Sequence, residues 1–543
     1  MKSKFLLVLI LLPTAVFPQQ TEIEKYTEVA TEIASWLTDV GIISPTQASW
    51  YRSVDDNTRL PGIEDGSAGT GLFFLKLYQL TEDAKYIEIA KKAGTFVHRE
   101  LTNANKIENY GPDWLYGRAG GISYLVELHK VTDEQIYLDK AEEIATILLE
   151  EAINEGNETH WVIRPGFEKV YTGLPHGSSG IGLSLLQLYE VTDNTIYLDV
   201  AKKAMNWLNG HRVNIGTGIG WKRLTTDSHA YHHWSGGTVG IMQFLQKLYE
   251  ITQNPDYLNQ IEQAADGLVQ SSIRVNDGFT WTYRSDKTGS FPVIFSHGTA
   301  SVVWALLQSY SLTNNPVYQR KALDGIKWLN TVKVQNQNNL PFWPHIEGWD
   351  QFNTGYRLGT ASIGHSFIEY TKLTQDSSYL NDAKKAAEYL LDIADKPKPD
   401  QLRWINYTND LRTDFGPKTY KTGWYTGAAG IGIFFIELSQ ILKENMAVTN
   451  EIPHEIPSGF RISSYPNPFN PTTNVEISVP ASQKIQLSVV DVLGRNVKIL
   501  VNKNFSEGIH QISWDASNLP SGVYFIIAKG IDFQTFQKVT LLK

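Results

Sequence analysis

Residues Gly177–Leu208 read "GSSGIGLSLLQLYEVTDNTIYLDVAKKAMNWL". From Gly180 to Tyr189 the segment is apolar on nearly every side, and a helix of that kind is buried on every side. From Tyr197 onward Lys202 and Lys203 share the sequence with Leu198, Ala201 and Met205, an amphipathic pattern that places this second helix outside. The intervening "TDNTIY" carries the residue types of a turn and a helix cap. The stretch predicts a helical hairpin with one buried and one outer helix.

The hairpin is a repeat. Threonines at 81, 132, 192, 252, 313 and 374 are each followed five residues later by a tyrosine and preceded fifteen residues earlier by a glycine, at 66, 117, 177, 237, 298 and 359. A second glycine follows the first after two residues in most copies, as in Gly66/Gly69, Gly117/Gly120, Gly177/Gly180 and Gly237/Gly240. A seventh copy starts at Gly427/Gly430 and ends the array. Seven buried helices ringed by seven outer ones close most simply into an α/α toroid. Their N-termini, with free N–H groups and positive dipole ends, would converge on one mouth. Nine of the fifteen tryptophans (114, 161, 221, 234, 281, 343, 349, 404 and 424) lie in the segments between an outer helix and the next inner one. Such loops on a regular scaffold are where function usually resides.

At 543 residues, with 42% hydrophobic and 19% charged residues, the chain has the composition of a soluble globular protein. Its net charge of −9 gives no general affinity for nucleic acid, so no nucleic-acid partner is expected. The opening "MKSKFLLVLILLPTAVFPQQ" has a basic start and a short apolar run, which reads as an export signal over residues 1–20. No other stretch is long and apolar enough to span a membrane. The chain has no cysteine, which excludes disulfides and thiolate metal sites. The expected layout is the toroid over 21–445, a proline-bearing linker over 446–461 and a small β-sandwich over 462–543. That last segment alternates in "VEISVP", "IQLSVVDVLG" and "GVYFIIAKG" between turn residues.

From about Thr21 to Leu442 the glycine-motif array resembles the lanthionine synthetase C-like (LanC-like) cyclases. In that family a zinc ion held by two cysteines and a histidine activates a peptide thiolate for addition to a dehydrated serine or threonine. "GLPHGSSGI" matches the histidine-bearing motif, which implies His176 as general acid/base. "DWLYGRAGGI" puts Asp113 at a family aspartate that serves the same proton traffic. Trp114, Tyr116, Trp234 and Trp424 are the corresponding candidates for substrate contact. "HHWSGGTVGI" and "FSHGTAS" match the metal motifs, but Ser235 and Ser296 stand at the two cysteine positions beside the retained His297, and Tyr231 replaces an arginine. A hydroxyl stays neutral where a thiol ionises, so the cofactor expected is none; zinc is the alternative, with His232 and His233 as substitute imidazoles.

The segments "YPNPFNPTT", "VDVLGRNV" and "LPSGVYFI" resemble the type IX (Por) secretion sorting domain. This implies a Gram-negative source, the type IX machinery as a partner and a destination at the cell surface or outside. The function expected is a divergent enzyme or binding protein acting on a peptide or small ligand at the mouth. One alternative is a carbohydrate-active barrel using the carboxylates Glu64, Asp65, Asp113, Asp227, Asp286, Glu347 and Asp350 with the tryptophans. The other is a non-catalytic binding protein.

Overall fold

The computed structural model describes residues 17–105, 109–163, 169–349, 352–406, 419–451, 460–480, 482–506, 508–530 and 534–543. The export signal lies largely outside these, as do half of the linker and Asp350. The chain divides into two compact units, Met1–Lys443 and Glu444–Lys543.

The first unit opens with helix α1 (Phe17–Val40) and continues with the hairpins α2 (Ser67–Thr81)/α3 (Ala84–Thr102) and α4 (Arg118–Thr132)/α5 (Gln135–Glu150). Then come α6 (Ser178–Thr192)/α7 (Thr195–Asn209), α8 (Thr238–Thr252)/α9 (Pro255–Gln270) and α10 (Thr299–Thr313)/α11 (Pro316–Thr331). It ends with α12 (Thr360–Thr374)/α13 (Leu380–Asp392) and α14 (Ala428–Glu451). The even-numbered helices form the inner wall.

The repeated threonine ends each of the first six inner helices. Thr192 Oγ1 donates to the Leu188 carbonyl at 2.8 Å and accepts from the Asn194 N–H at 3.2 Å. Asp193 then turns left-handed, at φ 54°. Asn194 in turn caps α7 by accepting from Ile196 N–H at 3.2 Å.

Neighbouring inner helices interlock through glycine. A Cβ on Gly182 would lie 2.4 Å from the ring of Phe244 on the next inner helix. The same joint recurs between the last and first inner helices, where a Cβ on Gly432 would lie 2.3 Å from Phe73. That contact closes the circle. The seventh outer position is filled by α1. Thr27 and Ser439 hydroxyls meet at 3.0 Å, and Lys25 Nζ lies 2.6 Å from Glu388 on α13.

Five of the nine loop tryptophans do not face the mouth. The indole N–H groups of Trp161, Trp221, Trp281, Trp343 and Trp404 donate to the carbonyls of Leu148, Leu208, Leu268, Leu329 and Leu390 at 2.6–3.0 Å. Trp50 does the same with Leu37, at 2.6 Å. Each ties a loop to the end of the preceding outer helix.

The second unit is a sandwich of two antiparallel sheets. Strands Arg461–Tyr465, Thr472–Val479 and Gly508–Asp515 form one, with Thr472–Val479 central. Asn496–Phe505, Gln483–Asp491, Gly522–Lys529 and Gln534–Leu541 form the other, in that order. Alternate residues Val475, Ile477 and Val479 turn inward onto a core with Leu487, Trp514, Ile526 and Leu541.

Candidate active site at the toroid mouth

The residue two places before the first glycine of each repeat occupies an equivalent position around the mouth: Glu64, Leu115, Pro175, Ser235, Ser296, Arg357 and Tyr425. Their backbones form a ring. Glu64 N–H donates to Leu115, Leu115 to Pro175, Ser235 to Ser296, Ser296 to Arg357, Arg357 to Tyr425 and Tyr425 back to Glu64, all at 2.9–3.1 Å. The missing link is Pro175 to Ser235, because proline has no N–H to give. There Gly173 and Gly236 press together instead, a Cβ on Gly173 falling 2.8 Å from the Gly236 carbonyl carbon.

The repeat glycines make this ring compact. A Cβ on Gly180 would stand 1.9 Å from the Leu174 carbonyl oxygen, so only glycine lets the loop fold back onto the helix start.

One residue below the ring, the side chains form an aromatic floor. Trp114 meets Trp234 at 6.0 Å and Trp424 at 5.7 Å, while Phe295 and Tyr356 continue the circle. The guanidinium of Arg357 lies over this floor, 4.3 Å from Phe295, 4.5 Å from Trp424 and 5.0 Å from Trp234. Trp234 and Trp424 are buried, and Trp114 gives its indole N–H to Ser123. Of the four candidate substrate contacts Tyr116 is the exposed one, at 39%.

One residue above the ring stand Tyr116, His176 and His297. His176 Nδ1 is 2.9 Å from Asp113 Oδ2, and Asp113 Oδ1 accepts the Tyr116 backbone N–H at 2.8 Å. The Tyr116 ring stacks on the imidazole at 5.6 Å. Asp113 is buried, whereas the His176 side chain is 28% exposed. The aspartate thus fixes one ring nitrogen and leaves the other on the open side.

Glu64 adjoins this pair. The Tyr116 hydroxyl donates to its carboxylate, while Oε2 is buried without a partner among the described residues. Burial, then the Asp65 carboxylate, push the Glu64 pKa up to about 7 against the opposing pull of Tyr116, Lys421 and His176. Asp65 itself is committed elsewhere, to Arg52 at 3.2 Å and Lys421 at 3.1 Å. Two of the other sequence-named carboxylates cap or pair. Asp227 accepts the Leu224 N–H at 2.9 Å, and Asp286 holds Arg284 through two bonds of 2.7–2.8 Å.

Across the ring, the two serines at metal-thiolate positions share a partner. The Tyr425 phenol hydrogen-bonds to Ser296 Oγ and to Ser235. Burial, then Glu64, push the phenol pKa up, so it stays protonated. His297 Nδ1 is buried without a partner among the described residues, and burial, then His345 and Arg223, hold its pKa at about 3. His233 faces His297 at 5.1 Å, while His232 turns away to the Thr282 carbonyl at 2.8 Å. Two neutral hydroxyls already bonded to a neutral phenol are not zinc ligands, so this donor set does not fit the family's metal.

The model of the family described as "Lanthionine synthetase C-like protein" matches residues 97–280 and 346–454, more than half of the sequence. The chain belongs to the lanthionine synthetase C-like family. In this LanC-like protein the tail, residues 463–541, matches the "Secretion system C-terminal sorting domain". That tail implies type IX secretion to the cell surface or outside.

Among solved structures, the LanC-like chain is similar to nisin cyclase at 13% identity over 79% of this chain and 98% of that one, with a TM-score of 0.48. It is similar to cellobiose 2-epimerase from Spirochaeta thermophila at 13% identity over 80% and 100%, TM-score 0.45. The GH76 alpha-mannanase of Bacteroides thetaiotaomicron is similar at 14% over 79% and 99%, TM-score 0.42.

The sequence singled out His176, Asp113 and Tyr116, which the structure brings together, and Ser235, Ser296 and His297, which it also brings together. Sequence reasoning missed Tyr425 and Arg357. Both sit two residues before a repeat glycine, the same register as Ser235 and Ser296, and that register was the available signal.

Proposed function

We propose that this secreted LanC-like protein is a zinc-independent acid–base enzyme acting on a peptide or small ligand at the toroid mouth. The observation that carries the reading is the buried Asp113 carboxylate 2.9 Å from Nδ1 of a partly exposed His176. Asp113 fixes the tautomer and orientation of the imidazole, whose Nε2 accepts a proton from the bound ligand or returns one to it. The Glu64 carboxyl, hydrogen-bonded by Tyr116 on the adjoining loop, is a second group able to exchange a proton near neutral pH. Thiolate activation by zinc has no part in this scheme, because the hydroxyls of Ser235 and Ser296 are engaged by Tyr425.

The test is a turnover screen of the purified chain on peptide and glycan libraries, with His176→Ala beside the wild type. Loss of turnover by roughly 10²–10⁴-fold is expected for a general acid/base. Equal, nonzero turnover in the two proteins would overturn the assignment.

A further inference from the structure

The mouth is electrically divided. Glu64, Asp65 and Asp113 lie on the first and second repeats, whereas a cavity of about 410 Å³ opens on the fourth and fifth, lined by Arg223, Arg284 and Lys287. No aspartate or glutamate is among its described lining residues. Arg284 is neutralised by the double contact with Asp286, but Arg223 and Lys287 have no carboxylate partner among the described residues.

The Arg223 guanidinium is held in place. It lies 5.3 Å from the Tyr231 ring, and its stem crosses Gly236, where a Cβ would come within 2.7 Å of Arg223 Cδ. Its Nε is buried without a partner among the described residues, as is Nδ1 of His297 on the same cavity wall. Tyr283 and His233 complete that wall. The volume falls in the range that holds a small-molecule group. A planar, fixed guanidinium beside a flexible-stemmed ammonium is the arrangement that recognises a carboxylate, sulfate or phosphate.

We infer that this cavity is an oxyanion-binding subsite, in which Arg223 and Lys287 hold the negatively charged group of the ligand with His297 and Tyr283 beside it. The subsite stands on its own geometry and exists whether or not His176 acts on what is bound.

The test is calorimetric titration of the purified full-length chain with sodium sulfate, sodium phosphate and sodium glucuronate at low ionic strength. Saturable binding of one anion per chain is expected, weaker at high salt. Arg223→Met and Lys287→Met should each lower affinity by roughly tenfold, the equivalent of one charge-assisted hydrogen bond. Preference for glucuronate assigns a carboxylate ligand, and preference for sulfate or phosphate a tetrahedral one. His176→Ala should bind the anion as the wild type does, which separates this inference from the catalytic reading. Absence of saturable binding for all three anions would overturn it. So would unchanged affinity in Lys287→Met, a substitution at an exposed loop residue that leaves the fold intact.

Discussion

The hydroxyl of Tyr425, from the seventh repeat, is hydrogen-bonded to the hydroxyl of Ser296, from the fifth. This contact engages the hydroxyl of one of the two serines that align, by the sequence resemblance, with the family's metal-binding cysteines. Purified wild-type protein should therefore hold under about 0.1 zinc per chain by elemental analysis, and a chelator should leave its melting temperature unchanged. The triple variant Ser235→Cys, Ser296→Cys, Tyr425→Ala should acquire stoichiometric zinc and a chelator-sensitive melting temperature. Stoichiometric zinc in the wild type would refute the reading of these hydroxyls.

Asp113→Asn keeps an oxygen to accept the Tyr116 N–H but removes the charge that holds His176. Turnover on any substrate found for the wild type should fall by roughly 10²-fold or more, with KM nearly unchanged, because the loss is one of proton transfer and not of binding. A rise in KM at constant kcat would instead make Asp113 part of ligand binding.

Glu64 gives stability a pH dependence of a definite sign. Its pKa in the folded chain is raised from 4.5 to about 7, so the folded state binds a proton that the unfolded state has already lost. The contribution is complete below the unfolded value and is lost as pH rises through about 7. A tenfold difference in proton affinity between the two states corresponds to about 1.4 kcal/mol. Glu64→Gln should flatten the decline in denaturation midpoint between pH 5 and pH 8, which chemical unfolding at several pH values would show; a parallel decline in both proteins would contradict it.

The tryptophan ties have a measurable worth. Trp281→Phe removes the bond to the Leu268 carbonyl while keeping most of the apolar bulk. A loss of about 1–3 kcal/mol is expected, since a buried carbonyl is left unpaired. Gly180→Ala should cost more, because its Cβ would strike a backbone oxygen and not a movable side chain. Thermal unfolding of both variants would rank them.

A chain ending at Lys443 retains the toroid unit but lacks the sorting domain. It should be exported from the cytoplasm and accumulate in the periplasm, whereas the full chain reaches the surface or medium. Fractionation with an antibody to the toroid distinguishes the two; equal release of both would remove the tail from the route.

The toroid was legible because its signal is repeated. One hairpin such as Gly177–Leu208 is ambiguous, but the constant interval from Gly177 to Thr192 in six copies specifies a wall of like elements. The Asp113–His176 pair was legible only through the family resemblance, because the two residues lie 63 positions apart. The tryptophans misled. Nothing in the residue type distinguishes Trp221, tied to Leu208, from Trp114 in the floor; the difference is the distance to the next repeat glycine, sixteen residues against three. The repeat register marks Tyr425 as a ring residue but does not give its partners. Its role depends on serines two and three repeats away, which only the closed ring brings to it.

The seating of α1 against α13 and α14 in the outer layer bears on how the protein comes to fold. Lys25 and Glu388 are separated by 363 positions, so the last outer helix to be seated belongs to the start of the chain. The part of α1 that meets α13 and α14 is covered only once nearly the whole array has emerged, while Leu37 is already tied to Trp50 on the next segment. Most repeats can pack on their neighbours as they form, but the final joint is a long-range encounter of high contact order, and such encounters are slow. The circle is complete only when α1 and α2, from the start of the array, meet α13 and α14, from its end.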